Sequence, residues 1–151
     1  MKRLNRLLPL WFCALLLSAC PSSGRGGPET VITIGGNRFT AWTALTARDR
    51  TQGLMGVREL GPDEAMLFVF PGDQRVSFWM KDTPLPLSIA FIDRRGIIRQ
   101  IDDMEPFSLR RISSQNAIRY VLEVNQGRFA QLGISVGDQA EAEGGWPRAE
   151  D

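Results

Sequence analysis

The sequence contains no histidine, and its 151 residues include only two cysteines, Cys13 and Cys20. Both cysteines lie in the N-terminal segment, so the rest of the chain has neither a disulfide nor a free thiol. These absences exclude catalysis by Ser-His-Asp or Cys-His groups, and they exclude zinc and haem sites built from Cys and His. Carboxylates alone can still bind Ca²⁺ or Mg²⁺, but the sequence has no calcium-loop pattern. We therefore expect no cofactor and no metal site.

The sequence also lacks a strong excess of either charge. It carries 18 basic and 17 acidic residues, and removal of Lys2, Arg3 and Arg6 with the N-terminal segment leaves 15 basic against 17 acidic residues, a net charge of −2. Such a balance gives no electrostatic signature of nucleic-acid binding. A hydrophobic content of 43% with 23% charged residues is typical of a globular protein, and the length suits one domain.

The N-terminal segment has the organisation of a secretory signal peptide. Basic residues precede an apolar run at residues 7–17 that is too short to span a bilayer, and Ser18-Ala19-Cys20 follows. Residues 17–20 resemble the bacterial lipobox, in which the cysteine is lipidated and becomes the mature N-terminus. The alternative is an ordinary cleaved signal with an incidental cysteine, but small residues before Cys20 favour the lipobox.

This pattern predicts a signal peptide at residues 1–19 and a lipid anchor on Cys20. Pro21 follows instead of aspartate, so we expect anchoring at the periplasmic face of the outer membrane. Residues 20–29 are rich in Gly, Ser and Pro and predict a flexible tether. We expect the folded domain at residues 30–142 and a frayed tail at residues 143–151.

Short apolar segments separated by glycine and proline dominate the domain. They predict strands at residues 31–34, 38–45, 65–70, 76–81, 87–93, 97–101, 119–124 and 136–142. Thr46 followed by Asp49 predicts a helix N-terminus, with a helix at residues 47–55 and a helical turn at residues 127–132. Residues 104–115 read as a loop. Many short strands and no long helix predict a mainly β single domain, either a β-sandwich or a partly open barrel.

Residues 76–93, VSFWMKDTPLPLSIAFID, form the centre of the sequence pattern. Strand alternation places Trp79 and Lys81 on one face and Phe78 and Met80 on the other. An aromatic ring beside a cation could bind a sugar ring or an anionic group. Alternatively, Trp79 packs beneath the predicted helix and Lys81 only extends its charged end into solvent.

The polar corner after this strand offers a second set of candidates. Lys81 as a base and Thr83 as a nucleophile would need a depressed lysine pKa, and neighbouring strand residues point to opposite faces, so this catalytic reading is disfavoured. Alternatively, Asp82 and Thr83 hydrogen-bond the backbone of the turn.

Two arginines and three carboxylates remain as candidates. Arg50 and Arg58 flank the Gly-Leu-Met segment and could form an anion pocket with Lys81, or they could pair structurally with Asp93 or Glu123. Carboxylates of Asp82, Asp93 and Glu123 could act as an acid–base pair, as in glycoside hydrolysis, if their separation allows it.

The ordered motifs resemble the prokaryotic family called domain of unknown function 192, from Val31 to Ala142. The resemblance rests on residues 50–55 (RTQGLM), Arg58, 66–70 (MLFVF), 78–83 (FWMKDT), 86–89 (PLSI), 91–93 (FID), Gly96, 120–124 (YVLEV) and 137–138 (GD). It implies a compact β-rich fold with one or two short helices and no established activity. The family usually has Asn where Asp82 stands and Asp where Ser88 stands, so a carboxyl group has moved.

These observations predict an envelope lipoprotein that is a non-enzymatic binding or accessory module. The expected ligand-binding residues are Arg50, Arg58, Trp79, Lys81, Asp82, Thr83 and Glu123. The expected ligand is a saccharide-containing or anionic envelope molecule, or a protein partner. Two alternatives remain: a hydrolase or transferase that acts on envelope polymers through Asp82, Glu123 and Lys81, and a purely structural protein with an exposed apolar patch.

Overall fold

The computed structural model describes residues 27–151. The predicted signal peptide and the lipidation site at Cys20 lie outside the described residues, as does most of the predicted tether. The described chain contains nine strands and two short helices. The strands are β1 (Glu29–Ile34), β2 (Asn37–Ala44), β3 (Glu64–Gln74), β4 (Ser77–Phe78), β5 (Leu87–Ile92), β6 (Ile98–Met104), β7 (Ile112–Ser113), β8 (Ile118–Asn125) and β9 (Ala140–Ala142). No helix among the described residues is both long and apolar enough to cross a membrane.

Helix α1 (Ala47–Gln52) begins as the sequence predicts and ends earlier. The Thr46 hydroxyl accepts a hydrogen bond from the Asp49 amide at 3.1 Å, and the Asp49 carboxylate accepts one from the Thr46 amide at 3.3 Å. The helix stops at Gly53, whose φ of +47° lies outside the helical region. The prediction that it extends to residue 55 is therefore wrong. Helix α2 (Arg128–Gln131) lies within the predicted turn.

Seven strands form one curled sheet in the order β6-β5-β8-β3-β2-β1-β9, and β4 pairs with β7 in a small second sheet. Strands β2 and β3 are parallel, and the other neighbours are antiparallel. The two edges of the large sheet meet at one point. There Ile97 bridges Gln139, and the Ala140 amide donates to the Gly96 carbonyl at 2.8 Å. The expected mainly β fold is confirmed, and its architecture is the partly open barrel.

Side-chain alternation along the central strands creates two apolar layers. Leu67 on β3 and Leu122 on β8 face the inside of the curled sheet with Phe39 and Phe129. Their neighbours on the same strands face outward, where residues 53–60 and 76–86 cover them. The outer layer includes Leu54, Met66, Phe68, Met80, Leu85, Ile89, Phe91 and Val121. Six of the seven expected ligand-binding residues, all except Arg50, belong to this outer side or its cover.

Two predicted strands are shorter in the structure than the sequence predicts. The predicted strand at residues 76–81 is regular only at β4, because its partner β7 is only two residues long and lies within the predicted loop. The predicted strand at residues 136–142 is confined to β9.

The tail at residues 143–151 is not frayed. The Trp146 ring stacks on Tyr120 with 4.0 Å between ring centroids, and the Glu150 amide donates to the Leu45 carbonyl at 3.0 Å. Asp151 accepts a hydrogen bond from the Ala47 amide and pairs with Arg50. The apolar contact and these polar partners hold the tail against the barrel.

Candidate functional site

A cavity of about 450 Å³ lies between the outer face of the sheet and its cover. Helix α1 and residues 53–55 form one wall, and residues 76–80 form another. Its apolar lining includes Leu54, Phe68, Phe70, Phe78 and Met80, and its polar lining includes Arg50, Thr83, Arg111 and Glu123. A volume of this size accommodates a small organic molecule.

Phe78 holds the cover onto the sheet. Its ring meets the edges or faces of Phe68, Phe70 and Phe91, with centroid distances of 4.9, 6.5 and 6.1 Å and interplanar angles near perpendicular. Edge-to-face pairs at these distances are favourable. Phe78 and Trp79 lie on opposite faces, as the alternation predicts, and the structure shows that Phe78 faces the sheet while Trp79 is partly exposed.

Glu123 is the unusual group in the cavity. It lies on β8 between Leu122 and Val124, which face inward, so alternation places its side chain on the outer side with its cross-strand neighbours Met66 and Ile89. The residue is only 4% exposed, and no donor among residues 27–151 forms a hydrogen bond with its carboxyl group.

Burial raises the pKa of Glu123 from 4.5 to about 8, because the carboxylate loses its hydration without gaining a cation or a hydrogen-bond donor. At neutral pH the carboxyl group is therefore protonated and uncharged. It can donate one hydrogen bond and accept another, and no protein group in the described chain takes either.

Trp79 stands at the exposed side of the cavity with two cations. Its ring is 38% exposed, the Arg111 guanidinium carbon lies 4.8 Å from the ring centroid, and the Lys81 ammonium lies 5.6 Å from it. The alternative in which Trp79 packs beneath the helix is wrong. Sequence reasoning missed Arg111, because residues 104–115 were expected to be a loop. Strand β4 pairs with β7 through Ser77–Ser113 and Phe78–Ile112, and the next residues along each chain, Trp79 and Arg111, are in contact.

Arg50 lies at the cavity wall, and its guanidinium group is hydrogen-bonded and ion-paired within the protein. Its guanidinium donates to the Leu45 and Val69 carbonyls at 2.8 and 2.9 Å, pairs with Asp151, and lies 5.3 Å from the Phe70 ring centroid. The expected pairing of Arg50 with Asp93 or Glu123 is therefore wrong. Arg50 does form a structural ion pair, as that alternative predicts, but its carboxylate partner is Asp151.

Other predicted residues are not brought to the cavity. Arg58 and Asp82 are exposed and absent from its lining. Asp82 has a φ of +54°, a conformation that Asn and Asp adopt more readily than most residues, and its carbonyl accepts a hydrogen bond from the Gly56 amide at 2.8 Å. Thr83 is 5% exposed, lines the cavity, and donates to the Lys81 carbonyl at 3.2 Å, as the structural alternative predicts.

The proposed carboxylate pair is not assembled. Asp93 accepts hydrogen bonds from Arg99 and from the amides of Arg95 and Ile97. Although burial acts to raise it, these hydrogen bonds hold the pKa of Asp93 below its ordinary value. Glu123 is the one carboxyl group in the cavity lining of the described chain. No group of three or more acidic, Cys or His side chains within residues 27–151 is arranged to hold a metal ion.

Comparison with known proteins places the chain in a family. The profile of domain of unknown function 192, described as "Uncharacterized ACR", matches residues 30–142. The chain belongs to the domain of unknown function 192 family. No curated protein sequence matches the chain significantly.

Two solved structures share this family's fold. A crystal structure from Sinorhizobium meliloti 1021, described as "a putative transcription regulator", is 34% identical, covers 80% of this chain and 98% of its own, and gives a TM-score of 0.75. A protein of unknown function from Novosphingobium aromaticivorans DSM 12444 is 30% identical, covers 81% of this chain and 89% of its own, and gives a TM-score of 0.72. Most of each solved chain lies within the matched region.

Position 88, where the family usually has Asp, retains a nearby carboxylate in this chain. The Ser88 hydroxyl donates to the Asp103 carboxylate and accepts a hydrogen bond from the Gly127 amide at 2.8 Å. Asp103 lies opposite Ser88 on β6. The departure at Ser88 therefore does not alter the cavity, which lies elsewhere.

Proposed function

We propose that the domain is a non-enzymatic binding module for a small envelope molecule with an apolar or aromatic part and an anionic group. The observation that carries the proposal is the cavity itself, which connects the neutral, unbonded carboxyl group of Glu123 to the Arg111 guanidinium beside Trp79. The apolar part of the ligand contacts the phenylalanine rings, an oxygen of the ligand exchanges a hydrogen bond with Glu123, and Arg111 pairs with the anionic group.

The two cations favour an anion over a neutral saccharide. Arg111 and Lys81 both lie over the Trp79 ring, so a sugar that stacks on this ring has to displace at least one of them. An anionic substituent instead uses both cations where they stand. A saccharide that carries an acidic group, or a partner protein that inserts an acidic side chain, remains compatible with the same chemistry.

Binding of 8-anilinonaphthalene-1-sulfonate, an aromatic anion, tests the proposal by fluorescence titration. We expect saturable binding to the folded domain. Arg111→Gln should weaken it roughly tenfold or more, since hydrogen bonds to charged groups contribute about 1.5–3 kcal/mol. Trp79→Ala should weaken it severalfold, since aromatic contacts contribute about 0.5–1.5 kcal/mol. The matched control is Arg75→Gln, because Arg75 is exposed and is not part of the cavity lining. Above pH 8 ionised Glu123 repels the sulfonate, so affinity should fall with rising pH in the wild type and stay level in Glu123→Gln.

The proposal would be wrong if the wild type, Arg111→Gln and Trp79→Ala bound the sulfonate equally. The neutral compound without the sulfonate provides a second control. The wild type should bind the neutral compound more weakly than the sulfonate, and Arg111→Gln should bind the two compounds equally.

A second candidate is a hydrolase or transferase of envelope polymers. The raised pKa of Glu123 favours it, because a carboxyl group protonated near neutral pH can act as a general acid. The surroundings favour it less, since Lys81 and Asp82 are exposed and no second carboxylate lines the cavity among the described residues. Turnover of an envelope polymer that is lost in Glu123→Gln would favour the enzyme over the binding module.

The relative described as a transcription regulator does not change this proposal. The chain from residue 27 onward carries 14 basic and 17 acidic residues, a net charge of −3. A protein that binds DNA ordinarily presents a basic surface to the phosphates.

We further propose that Cys20 carries the lipid that anchors the chain to the periplasmic face of the outer membrane. The support is the signal-peptide pattern with small residues before Cys20. The full chain expressed in a bacterium should incorporate labelled palmitate and sediment with outer membranes. Cys20→Ser should lose the label and leave the membrane fraction. A wild-type chain that is unlabelled and stays in the soluble fraction would contradict the anchor.

A further inference from the structure

Two adjacent loops carry most of the exposed large apolar side chains of the domain. Four such residues are exposed among residues 27–151: Trp79 at 38%, Phe107 at 61%, Leu109 at 66% and Val136 at 59%. The first three belong to residues 79–83 and 105–111, which we call the paired loops. Burial of such side chains is ordinarily favourable, so three on one pair of loops mark a contact surface.

Backbone hydrogen bonds fix the paired loops to each other. The Met80 amide donates to the Ser108 carbonyl at 2.9 Å, and the Phe107 amide donates to the Thr83 carbonyl at 3.0 Å. Phe107 has a φ of +58°, which is uncommon for a bulky residue and costs about 1 kcal/mol or more. Phe107 is the third residue of a turn in which the Ser108 amide donates to the Glu105 carbonyl at 3.2 Å, and this turn holds the ring exposed in an unfavourable backbone conformation.

The same loops carry three exposed cations, Lys81, Arg110 and Arg111. None of them forms a salt bridge with a carboxylate of the described chain. The acidic residues of the paired loops are Asp82 and Glu105, so the loops have a net positive charge while the described domain as a whole is negative. The paired loops thus carry a net charge of +1, from three basic and two acidic residues, where the apolar side chains project.

We infer that the paired loops bind the surface of an anionic phospholipid bilayer. Phe107 and Leu109 enter the boundary between head groups and acyl chains, Trp79 lies at head-group depth, and Lys81, Arg110 and Arg111 contact lipid phosphates. Separate apolar tips on two loops suit a fluid lipid surface better than a flat protein interface, which needs a contiguous apolar centre. Because Trp79 and Arg111 also line the cavity, the cavity is adjacent to the membrane in this arrangement.

The proposed lipid anchor would keep the domain close to a membrane, but binding by the loops can be tested without it. The domain from residue 27 onward is suitable, since the related solved chains consist almost entirely of this region. Sedimentation with vesicles of phosphatidylglycerol and phosphatidylcholine should show binding that weakens as salt increases, and vesicles of phosphatidylcholine alone should bind at least tenfold more weakly. This result is independent of Cys20 and of any ligand in the cavity.

Variants with matched controls identify the surface. Phe107→Asn with Leu109→Ser should reduce vesicle binding about tenfold or more, and Asn is chosen because it tolerates the positive φ. Val136→Asn, which removes an equally exposed apolar residue elsewhere, should bind as the wild type does. Arg110→Gln with Arg111→Gln should reduce binding by about fivefold for each charge, whereas Arg94→Gln with Arg95→Gln should have little effect.

Thermal unfolding of each variant confirms that it is folded. Absence of vesicle binding, or binding that the paired-loop variants leave unchanged, overturns the inference. Concentration-dependent dimerisation that is lost in the Phe107 and Leu109 variant, with no vesicle binding, also overturns it and assigns the surface to a second copy of the chain.

Discussion

Wild-type protein is expected to lose stability as the pH rises from about 5 to 9, and Glu123→Gln is expected to abolish most of this loss. The unfolded chain releases the Glu123 proton near pH 4.5, but the folded protein holds it until about pH 8. Between these values the unfolded state binds fewer protons than the folded state, so the free energy of unfolding falls as pH rises. The raised pKa thus contributes stability that is fully present at low pH and is lost by about pH 8–9.

The size of this effect follows from the difference between the two pKa values. At about 1.4 kcal/mol for each pH unit, the loss approaches 5 kcal/mol, a large part of the stability of a domain of this size. Glutamine has nearly the same shape and never ionises. We therefore expect Glu123→Gln to match the wild type within about 1 kcal/mol at pH 5 and to exceed it by several kcal/mol at pH 9.

Urea unfolding at pH 5, 7 and 9 measures the effect directly. Glu141→Gln is the matched control, because Glu141 is a strand glutamate with an exposed side chain, and this variant should retain the wild-type dependence on pH. If wild type and Glu123→Gln respond identically to pH, Glu123 is not protonated in the folded protein. The hydrogen-bonding role proposed for it in the cavity would then be wrong as well.

The second large effect is expected at Gly96, where the two edges of the barrel meet. Gly96 has a φ of +84°, and a Cβ atom there would lie 2.4 Å from the Ala140 backbone carbonyl oxygen and 2.6 Å from the side-chain Nε2 atom of Gln139. Alanine therefore meets both a backbone conformation that L residues avoid and a clash with the backbone of β9. We expect Gly96→Ala to reduce the free energy of unfolding by roughly 3 kcal/mol or more.

The variant Gly133→Ala separates the cost of the backbone conformation from the cost of the clash. Gly133 also has a positive φ, of +70°, but no atom lies within 4 Å of a Cβ built there. Gly133→Ala should therefore cost only about 1 kcal/mol, the conformational part. Chemical denaturation of both variants gives the two costs, and hydrogen exchange of the Ile98 and Ala140 amides should accelerate in Gly96→Ala alone. Equal costs for the two variants would show that closure of the sheet contributes little.

Local patterns in the sequence predicted most of the strands and the start of the first helix. Alternation correctly put Phe78 and Trp79 on opposite faces but did not show which of the two is buried, and the Thr46 and Asp49 pair located the start of α1. The same periodicity could not show that Glu123 is buried, because that depends on residues 53–55 and 76–80 folding over the sheet. Membership of Glu123 in the candidate site could therefore be predicted, but not its pKa.

The rest of the site depends on contacts between residues far apart in sequence. The tail was expected to be frayed because chain termini generally are, but the Trp146 ring stacks on Tyr120, and Asp151 pairs with Arg50. Arg111 was missed because a two-residue strand has no recognisable periodicity. Its position is set by pairing with β4, which only the folded chain reveals.

Closure of the sheet also constrains the order of events during synthesis. The bridge between Ile97 and Gln139 joins the edges of β6 and β9, and β9 ends at Ala142. Until residue 142 has left the ribosome, β1 lacks its partner β9, and unpaired strand edges are the surfaces through which nascent chains associate. The sheet therefore cannot close before nearly all of the domain has been made.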